Sequence, residues 1–229
     1  MINFPIAAGT SGHLLGGALA VIVLGPNLGI ICISIVVVIQ SLLFADGGLS
    51  ALGVNVLNMA IITSLVGWVT ISSWKKLFGE ANISIISGSI VAGILSVVFL
   101  SIAFVFEYAL GGTVSVPLGS VLIAMVSSHL LIGLGEGVIT ALIVSLLLRV
   151  RSDLIYIKTN NDKKNSKSSF YGLFIFLLLC LTLITPYASS SPDGLESVAG
   201  DFGFSEDSGI VLLLEVIATN FSILIKDKI

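Results

Sequence analysis

A histidine inside a glycine-rich turn is the first group in this chain that could do chemistry. The turn is Gly9-Thr10-Ser11-Gly12-His13-Leu14-Leu15-Gly16-Gly17, and it opens directly into an apolar run. Histidine is a common ligand of nickel, cobalt, copper and zinc, because its neutral ring nitrogen suits these ions. The alternative is a structural role, in which His13 caps a helix and hydrogen-bonds to a carbonyl group. The spacing alone leaves both interpretations open.

Polar residues within or beside long apolar runs are the next candidates, because ionisable groups at membrane depth are costly and are most often functional. They are Gln40, Asp46, Asn55, Asn58, Glu107, His129 and Glu136. Four of them are also weaker candidates for metal ligation: Asp46, Asn55, Asn58 and His129. Asn55 and Asn58 are three residues apart and so share a helix face. There they either line a site or form hydrogen bonds between helices.

His129 carries two further hypotheses. It lies seven residues before Glu136, on nearly the same helix face, so the two side chains are predicted to form a buried, mutually satisfied pair or, alternatively, a proton relay. The second hypothesis is an intramembrane serine protease with Ser11 as nucleophile and His129 as base, since Gly9-Thr10-Ser11-Gly12 matches a Gly-x-Ser-Gly pattern. That pattern fixes only three residues, so it is the weaker hypothesis.

The elements that must position these groups are membrane helices. Of the 229 residues, 56% are hydrophobic and 10% are charged, and the mean hydropathy is +1.14. Soluble domains carry about 25% charged residues. The chain is therefore predicted to be an all-α integral membrane protein with about six to seven transmembrane or partly spanning helices. The apolar runs are Leu14–Leu24, Leu28–Phe44, Leu52–Ile71, Ile83–Phe106, Leu118–Val150, Leu173–Pro186 and Ile210–Ile225.

Two of these runs have unusual lengths. The first is too short to cross about 30 Å of hydrocarbon at about 1.5 Å per residue, so it is predicted to be either a half-helix or a steeply packed helix. The fifth is long enough that we expect it to tilt, bend or break near Gly133 and Gly135. Close packing of helices is nevertheless the preferred role of the glycines from Gly133 to Gly137.

Basic residues set the expected orientation in the cell membrane. One loop carries Lys75 and Lys76, a second carries Arg149, Arg151 and four lysines, and two lysines end the chain. The positive-inside rule places all three in the cytoplasm. Counting crossings then places His13, Asp46 and the polar segment Ser189–Ser208 outside. This multi-pass protein would thus turn its metal-capturing face outward.

Several ordered blocks together resemble the CbiM/NikM family, the metal-binding membrane component of cobalt and nickel uptake transporters of the energy-coupling factor type. The blocks extend from about Asn3 to Val150. They are Asn3-Phe4-Pro5, the His13 turn with Ala18-Leu19, Leu24-Gly25-Pro26, Gln40-Ser41-Leu42-Leu43-Phe44-Ala45-Asp46-Gly47-Gly48, Ala51-Leu52-Gly53-Val54-Asn55-Val56-Leu57-Asn58-Met59-Ala60 and His129-Leu130-Leu131-Ile132-Gly133-Leu134-Gly135-Glu136-Gly137.

A second resemblance divides the chain. Ser191-Pro192-Asp193-Gly194-Leu195-Glu196 is similar to the Pro-Asp-Gly-Leu-Glu signature of the small accessory subunit of these transporters. The expected organisation is a fusion. Residues 1–155 form the membrane core, and residues 156–169 form a basic cytoplasmic linker. Residues 170–229 form an appendage with one or two helices and an external loop.

The resemblance implies that the chain captures Co²⁺ or Ni²⁺ as its transported substrate, with His13 matching a metal-binding histidine of the family. The implied partners are a transmembrane coupling subunit, cytoplasmic ATPase subunits and the lipid bilayer, with no nucleic acid. The chain has no Walker A pattern, so we expect neither bound ATP nor enzymatic activity.

The start of the chain departs from the family pattern. Family members begin with a Met-His segment that supplies further metal ligands, followed by a first helix, whereas Met1-Ile2-Asn3 falls at an internal position of that pattern. We therefore expect the segment and the first helix to be missing. The alternative to metal capture is then a structural fragment that docks with transporter partners without binding metal.

Overall fold

The computed structural model describes residues 3–5, 11–43, 51–111 and 117–158, together with positions 198 and 200. Two short strands come first, β1 (Asn3–Pro5) and β2 (Ser11–His13). The helices that follow are α1 (Gly17–Leu24), α2 (Pro26–Leu43), α3 (Leu52–Asn55), a π-helical segment (Val56–Ile62), α4 (Thr63–Phe78), α5 (Asn82–Gly111) and α6 (Leu118–Val150). Two 3₁₀ turns, Ser152–Leu154 and Tyr156–Lys158, end this part of the chain.

Three helices in the described part are long and apolar enough to cross a membrane: Leu52–Phe78, Asn82–Leu110 and Leu118–Val150. The first of them is the continuous run of α3, the π-helical segment and α4. A shorter apolar helix covers Pro26–Leu42. These helices confirm the predicted class of all-α membrane protein. The sixth and seventh predicted runs lie outside the described residues.

The first apolar run forms only a half-helix, one of the two forms that its length predicts. Helix α1 has eight residues and is therefore about 12 Å long. Gly25, with φ of 85°, ends it in a conformation that side chains disfavour. Pro26 then begins α2, because proline fits the first position of a helix, where its missing N–H is not needed.

Small residues place α1 directly on α4. A Cβ on Gly67 would lie 2.8 Å from the Cα of Ala18, so the two backbones are in contact there. Gly17, at the start of α1, lies against Thr63 and Ser64, near the middle of the Leu52–Phe78 span. The half-helix therefore begins at about half the depth of the bundle and runs toward the end that carries Lys75.

Helices α5 and α6 form the other closely packed pair. A Cβ on Gly137 would lie 2.6 Å from the carbonyl oxygen of Ile90, and one on Gly93 would lie 2.6 Å from the Cα of Gly137. The preferred packing role of these glycines is thus confirmed. Of the three alternatives expected for this run, a break near Gly133 and Gly135 is excluded because α6 is continuous from Leu118 to Val150, while a tilt or a bend stays a prediction. Gly133 lies on the face packed against α5, where the neighbouring helix supports the backbone.

After α6 the chain folds back under the bundle. Ile155 and Ile157 are buried in the main apolar cluster with Ile22 and Ile71. The Lys75 ammonium donates a hydrogen bond to the Ile157 carbonyl at 2.7 Å. The packed part of the chain therefore extends to Lys158, beyond residue 155, where the sequence places the end of the core. The division into core, linker and appendage stays a prediction.

The opposite end of the bundle holds one described residue of the appendage. Val198 is buried in a cluster with Val105, Val121 and Met125, where α5 ends and α6 begins. Residue 198 therefore lies at the end away from Lys75. This agrees with the expected separation of the two by the membrane, while the side that faces outward stays a prediction.

Candidate metal-capture site

The turn that contains His13 begins in a short β-hairpin. Strands β1 and β2 are antiparallel, and the backbone of His13 lies opposite Asn3. Strand β2 also lies against α6. His13 is the last residue of β2, and the chain then passes through Leu14, Leu15 and Gly16 into α1. The segment 11–24 is therefore discontinuous, with an extended part followed by the half-helix.

A carboxylate from a distant part of the chain caps this half-helix. The N–H of Leu15 donates to Oε2 of Glu136 at 2.9 Å, and the N–H of Gly16 donates to Oε1 at 3.1 Å. Glu136 is 0% exposed. The first N–H groups of a helix have no partner within the helix, and Gly16 offers no capping side chain. Glu136 supplies the acceptor for the N–H of Gly16 at the start of the helix, and it also accepts from Leu15, the residue before it.

Two glycines make this arrangement sterically possible. Gly16 has φ of 76°, the left-handed conformation that favours glycine. A Cβ on Gly17 would overlap the side chain of Thr63 and lie 3.1 Å from the backbone nitrogen of Ser64. The hydroxyl of Thr63 is itself held, since it donates to the Met59 carbonyl at 2.6 Å. Only a residue without a side chain fits at either position.

The turn therefore reaches deep into the bundle. Glu136 lies near the middle of α6, and it holds Leu15 at that depth. Two residues of extended chain span at most about 7 Å, which limits how far the Cα of His13 lies from that of Leu15. Sequence reasoning expects His13 at the outer mouth of a helix, whereas its backbone follows a strand and lies close to half depth. Its role as a metal ligand remains a prediction.

His129 and Glu136 do not form the predicted mutual pair in the described part of the chain. Nδ1 of His129 lies 2.8 Å from the Met125 carbonyl oxygen and 3.2 Å from the Ser128 hydroxyl, while Glu136 binds the backbone of the turn. Seven residues of helix separate the two by about 10 Å along the axis, and the N–H groups of the turn are nearer. A carbonyl only accepts hydrogen bonds, so Nδ1 of His129 is the donor in its contact with Met125.

The π-helical segment begins between the two asparagine candidates, so that Asn55 precedes it and Asn58 lies within it. Asn58 is buried, and its Nδ2 donates to Oε2 of Glu107 at 2.7 Å, so it forms the interhelical hydrogen bond that was its alternative role. Asn55 is half-buried. The face that the two asparagines are expected to share stays a prediction. Asp46 lies outside the described residues.

Within the described ranges, no three side chains of His, Cys, Asp or Glu come together in a group that could hold a metal ion. The candidate site therefore depends on His13 and the turn. Sequence reasoning names Glu136 but misses its role as a cap. A local signal does exist: the half-helix starts after Gly16 without a Ser, Thr, Asp or Asn at its cap position, so the acceptor must come from elsewhere.

A discontinuous crossing with irregular backbone at mid-depth is typical of membrane transport proteins, whose substrate sites form where helices are interrupted. The comparisons with known proteins agree. The model of the family described as "Cobalt uptake substrate-specific transmembrane region" matches residues 1–154. The chain belongs to this family of membrane transport proteins.

Individual relatives carry names of metal transporters. The chain is 35% identical over 213 residues to the "Putative fused nickel transport protein NikMN" of Archaeoglobus fulgidus, which covers 90% of this chain and 67% of that protein. It is 32% identical over 197 residues to the "Probable fused nickel transport protein LarMN" of Lactiplantibacillus plantarum, covering 81% and 57%. These fused relatives fit the predicted fusion.

A solved structure supports the same assignment. The crystal structure of a transition metal transporter matches with a TM-score of 0.54 and 33% identity, over 66% of this chain and 70% of that one. The chain is thus a transporter subunit and not an enzyme. The serine protease and the non-binding fragment are not favoured.

Proposed function

We propose that this chain is the substrate-capture membrane subunit of a cobalt or nickel uptake transporter. Separate ATPase subunits would energise it through a transmembrane coupling subunit. The observation that carries the proposal is the position of the His13 turn, which Glu136 holds near half depth in a discontinuous segment. The names of the fused nickel transport relatives support the choice of metal.

The chemistry of the turn suits these ions. A neutral imidazole nitrogen binds Ni²⁺ and Co²⁺ well, and a backbone nitrogen that has lost its proton is a further nitrogen donor that suits these ions. One imidazole supplies one ligand, so other donors must complete the site. Asp46, Asn55, Asn58 and His129 remain the weaker candidates.

The proposed orientation follows from charge. The end with Lys75, Arg149 and Lys158 faces the cytoplasm, and the end with Val198 faces outward, so that the turn is entered from outside. In this arrangement the membrane core binds the metal, and the appendage with the Pro-Asp-Gly-Leu-Glu segment lies at the entry side of the plasma membrane.

The test is a titration of the purified 229-residue chain in detergent with Ni²⁺ and with Co²⁺, followed by calorimetry. His13→Ala is compared with His129→Ala, which removes the other of the two histidines of the chain. We expect binding that is lost in His13→Ala. Binding retained in His129→Ala would remove His129 from the candidate ligands, and binding lost there as well would add it to the site. Equal binding by the wild-type chain and by His13→Ala would contradict the assignment of His13.

A further inference from the structure

We propose that Glu136 is a positioning residue for metal capture, whose carboxylate bridges the N–H groups of Leu15 and Gly16 and so fixes the turn that presents His13. This inference rests on the proposed function, and it adds a residue on α6 that is not itself a metal ligand.

The geometry of the bridge explains why it would fix orientation as well as position. Each carboxylate oxygen accepts from a different N–H group, at 2.9 and 3.1 Å, so two consecutive peptide units are held at once. Hydrogen bonds to a carboxylate are stronger than those between neutral groups. Because Glu136 is fully buried, water cannot replace either bond at little cost.

The turn is therefore held on both sides of His13. Before it, β2 pairs with β1, and the backbone of His13 lies opposite Asn3. After it, Leu15 and Gly16 are bound to Glu136. A ligand residue between two such attachments has little freedom to move, which is the condition for binding a metal without a further ordering cost.

The carboxylate is itself held in place by close packing between α5 and α6. Gly137, the next residue, lies against the Ile90 carbonyl and the Cα of Gly93 on α5. One turn earlier, a Cβ on Gly133 would lie 3.1 Å from the Ile94 carbonyl oxygen. The position of the turn thus depends on the α5–α6 pair and not on local sequence.

Two variants of Glu136 separate its length from its charge. Glu136→Gln keeps the length but replaces one acceptor oxygen by an NH₂ group, which faces an N–H donor. Glu136→Asp keeps the charge but shortens the side chain by one carbon, about 1.5 Å, so its oxygens fall short of the turn. We expect both to weaken Ni²⁺ binding about 10- to 100-fold, the usual cost of losing a group that orients a ligand.

The matched control is Thr140→Val. Thr140 lies one turn further along α6 and is also fully buried, and its hydroxyl has no hydrogen-bond partner in the described structure. Replacing an unpartnered hydroxyl by a methyl group of similar shape costs little or is stabilising. This variant should bind Ni²⁺ as the wild-type chain does.

Amide hydrogen exchange gives a second measurement that needs no metal. In both Glu136 variants we expect faster exchange at Leu15 and Gly16, while Ile90 to Val97 on α5 stays protected. Ile85→Ala is the control for stability, because Ile85 is buried in the core far from the turn. It should lower the melting temperature while leaving both the exchange at Leu15 and Gly16 and the Ni²⁺ affinity unchanged.

The outcomes separate this inference from the proposed function. Binding that depends on His13 but is equal in the wild-type chain and both Glu136 variants overturns the role of Glu136 alone. A loss of affinity in Ile85→Ala that matches the loss in Glu136→Gln overturns it as well, since the effect is then one of general stability. A wild-type chain that binds neither metal overturns both. Weakened binding with faster exchange, confined to the Glu136 variants, supports the inference.

Discussion

Replacing Gly17 by alanine tests whether the half-helix must lie directly on α4. The new Cβ would lie 2.6 Å from the Cβ of Thr63 and 3.1 Å from the backbone nitrogen of Ser64. Ser64 N belongs to a helix backbone, and the Thr63 hydroxyl is bound to the Met59 carbonyl, so neither can yield easily. Carbon atoms in ordinary contact are about 3.5–4.0 Å apart. Helix α1 must therefore move away by about 1 Å.

Gly17→Ala is expected to lower both the stability of the fold and the affinity for Ni²⁺. Adding a methyl group to a closely packed contact destabilises by about 1–3 kcal/mol. At about 2–4 °C per kcal/mol for a chain of this size, the melting temperature should fall by about 2–12 °C. A shift of about 1 Å would also stretch the hydrogen bond from Gly16 to Glu136, now 3.1 Å, beyond useful length. Ni²⁺ binding should weaken with it.

The assay is thermal unfolding in detergent, followed by tryptophan fluorescence, with a Ni²⁺ titration beside it. Gly53→Ala makes the same chemical change in α3, where a Cβ would meet nothing within 4 Å. Alanine is favoured over glycine within helices by about 0.5–1 kcal/mol, so this control should be unchanged or slightly stabilised. The reasoning is refuted if Gly17→Ala melts and binds Ni²⁺ as Gly53→Ala does.

Two further predictions concern the Lys75 end of the bundle. Lys75→Ala should speed amide exchange at residues 155–158, because the Lys75 ammonium donates to the Ile157 carbonyl at 2.7 Å. The control is Lys76→Ala, since Lys76 is exposed, and it should leave this exchange unchanged. Equal exchange in the two variants would contradict the attachment. The Arg151 guanidinium, through its hydrogen bonds, lowers the pKa of Asp153 below the ordinary 3.8. A lowered pKa stabilises the fold above the ordinary value and ceases to do so as pH falls through the lowered one. The wild-type chain should therefore melt at a slightly higher temperature than Asp153→Asn, and this difference should shrink as the pH is lowered. A difference that grows as the pH is lowered would contradict the prediction.

The helices were predictable because a membrane imposes one strong rule on sequence. A crossing needs about 20 apolar residues, so the runs Ile83–Phe106 and Leu118–Val150 correspond to α5 and α6 within a few residues. The helix ends were less predictable. The run that begins at Leu52 loses its apolar character near Ile71, yet the helix continues to Phe78. Lysine side chains can extend from its last turn toward water.

The hydrogen bonds of the site could not be predicted in the same way. Glu136 and Leu15 are 121 residues apart, and the sequence around either residue does not identify the other as its hydrogen-bond partner. The nearer candidate, His129 on the same helix face, was the wrong partner because the unpaired N–H groups at the start of α1 compete for the same carboxylate. The π-helical segment after Asn55 likewise has no simple signal in the sequence.

The division of the segment 11–24 into an extended part and a helical part has a consequence for transport. An extended segment leaves backbone N–H and C=O groups available to a substrate, whereas in a helix these groups hydrogen-bond to one another. The helical half continues from the turn to the Lys75 end, and there Ile22 is packed against Ile71 and Ile155 without exposure. A metal ion held at half depth would thus meet a packed core on the far side. In the proposed orientation, release to the cytoplasm would require α1 or the segment after α6 to move, and the proposed energy-coupling partner would act on that step.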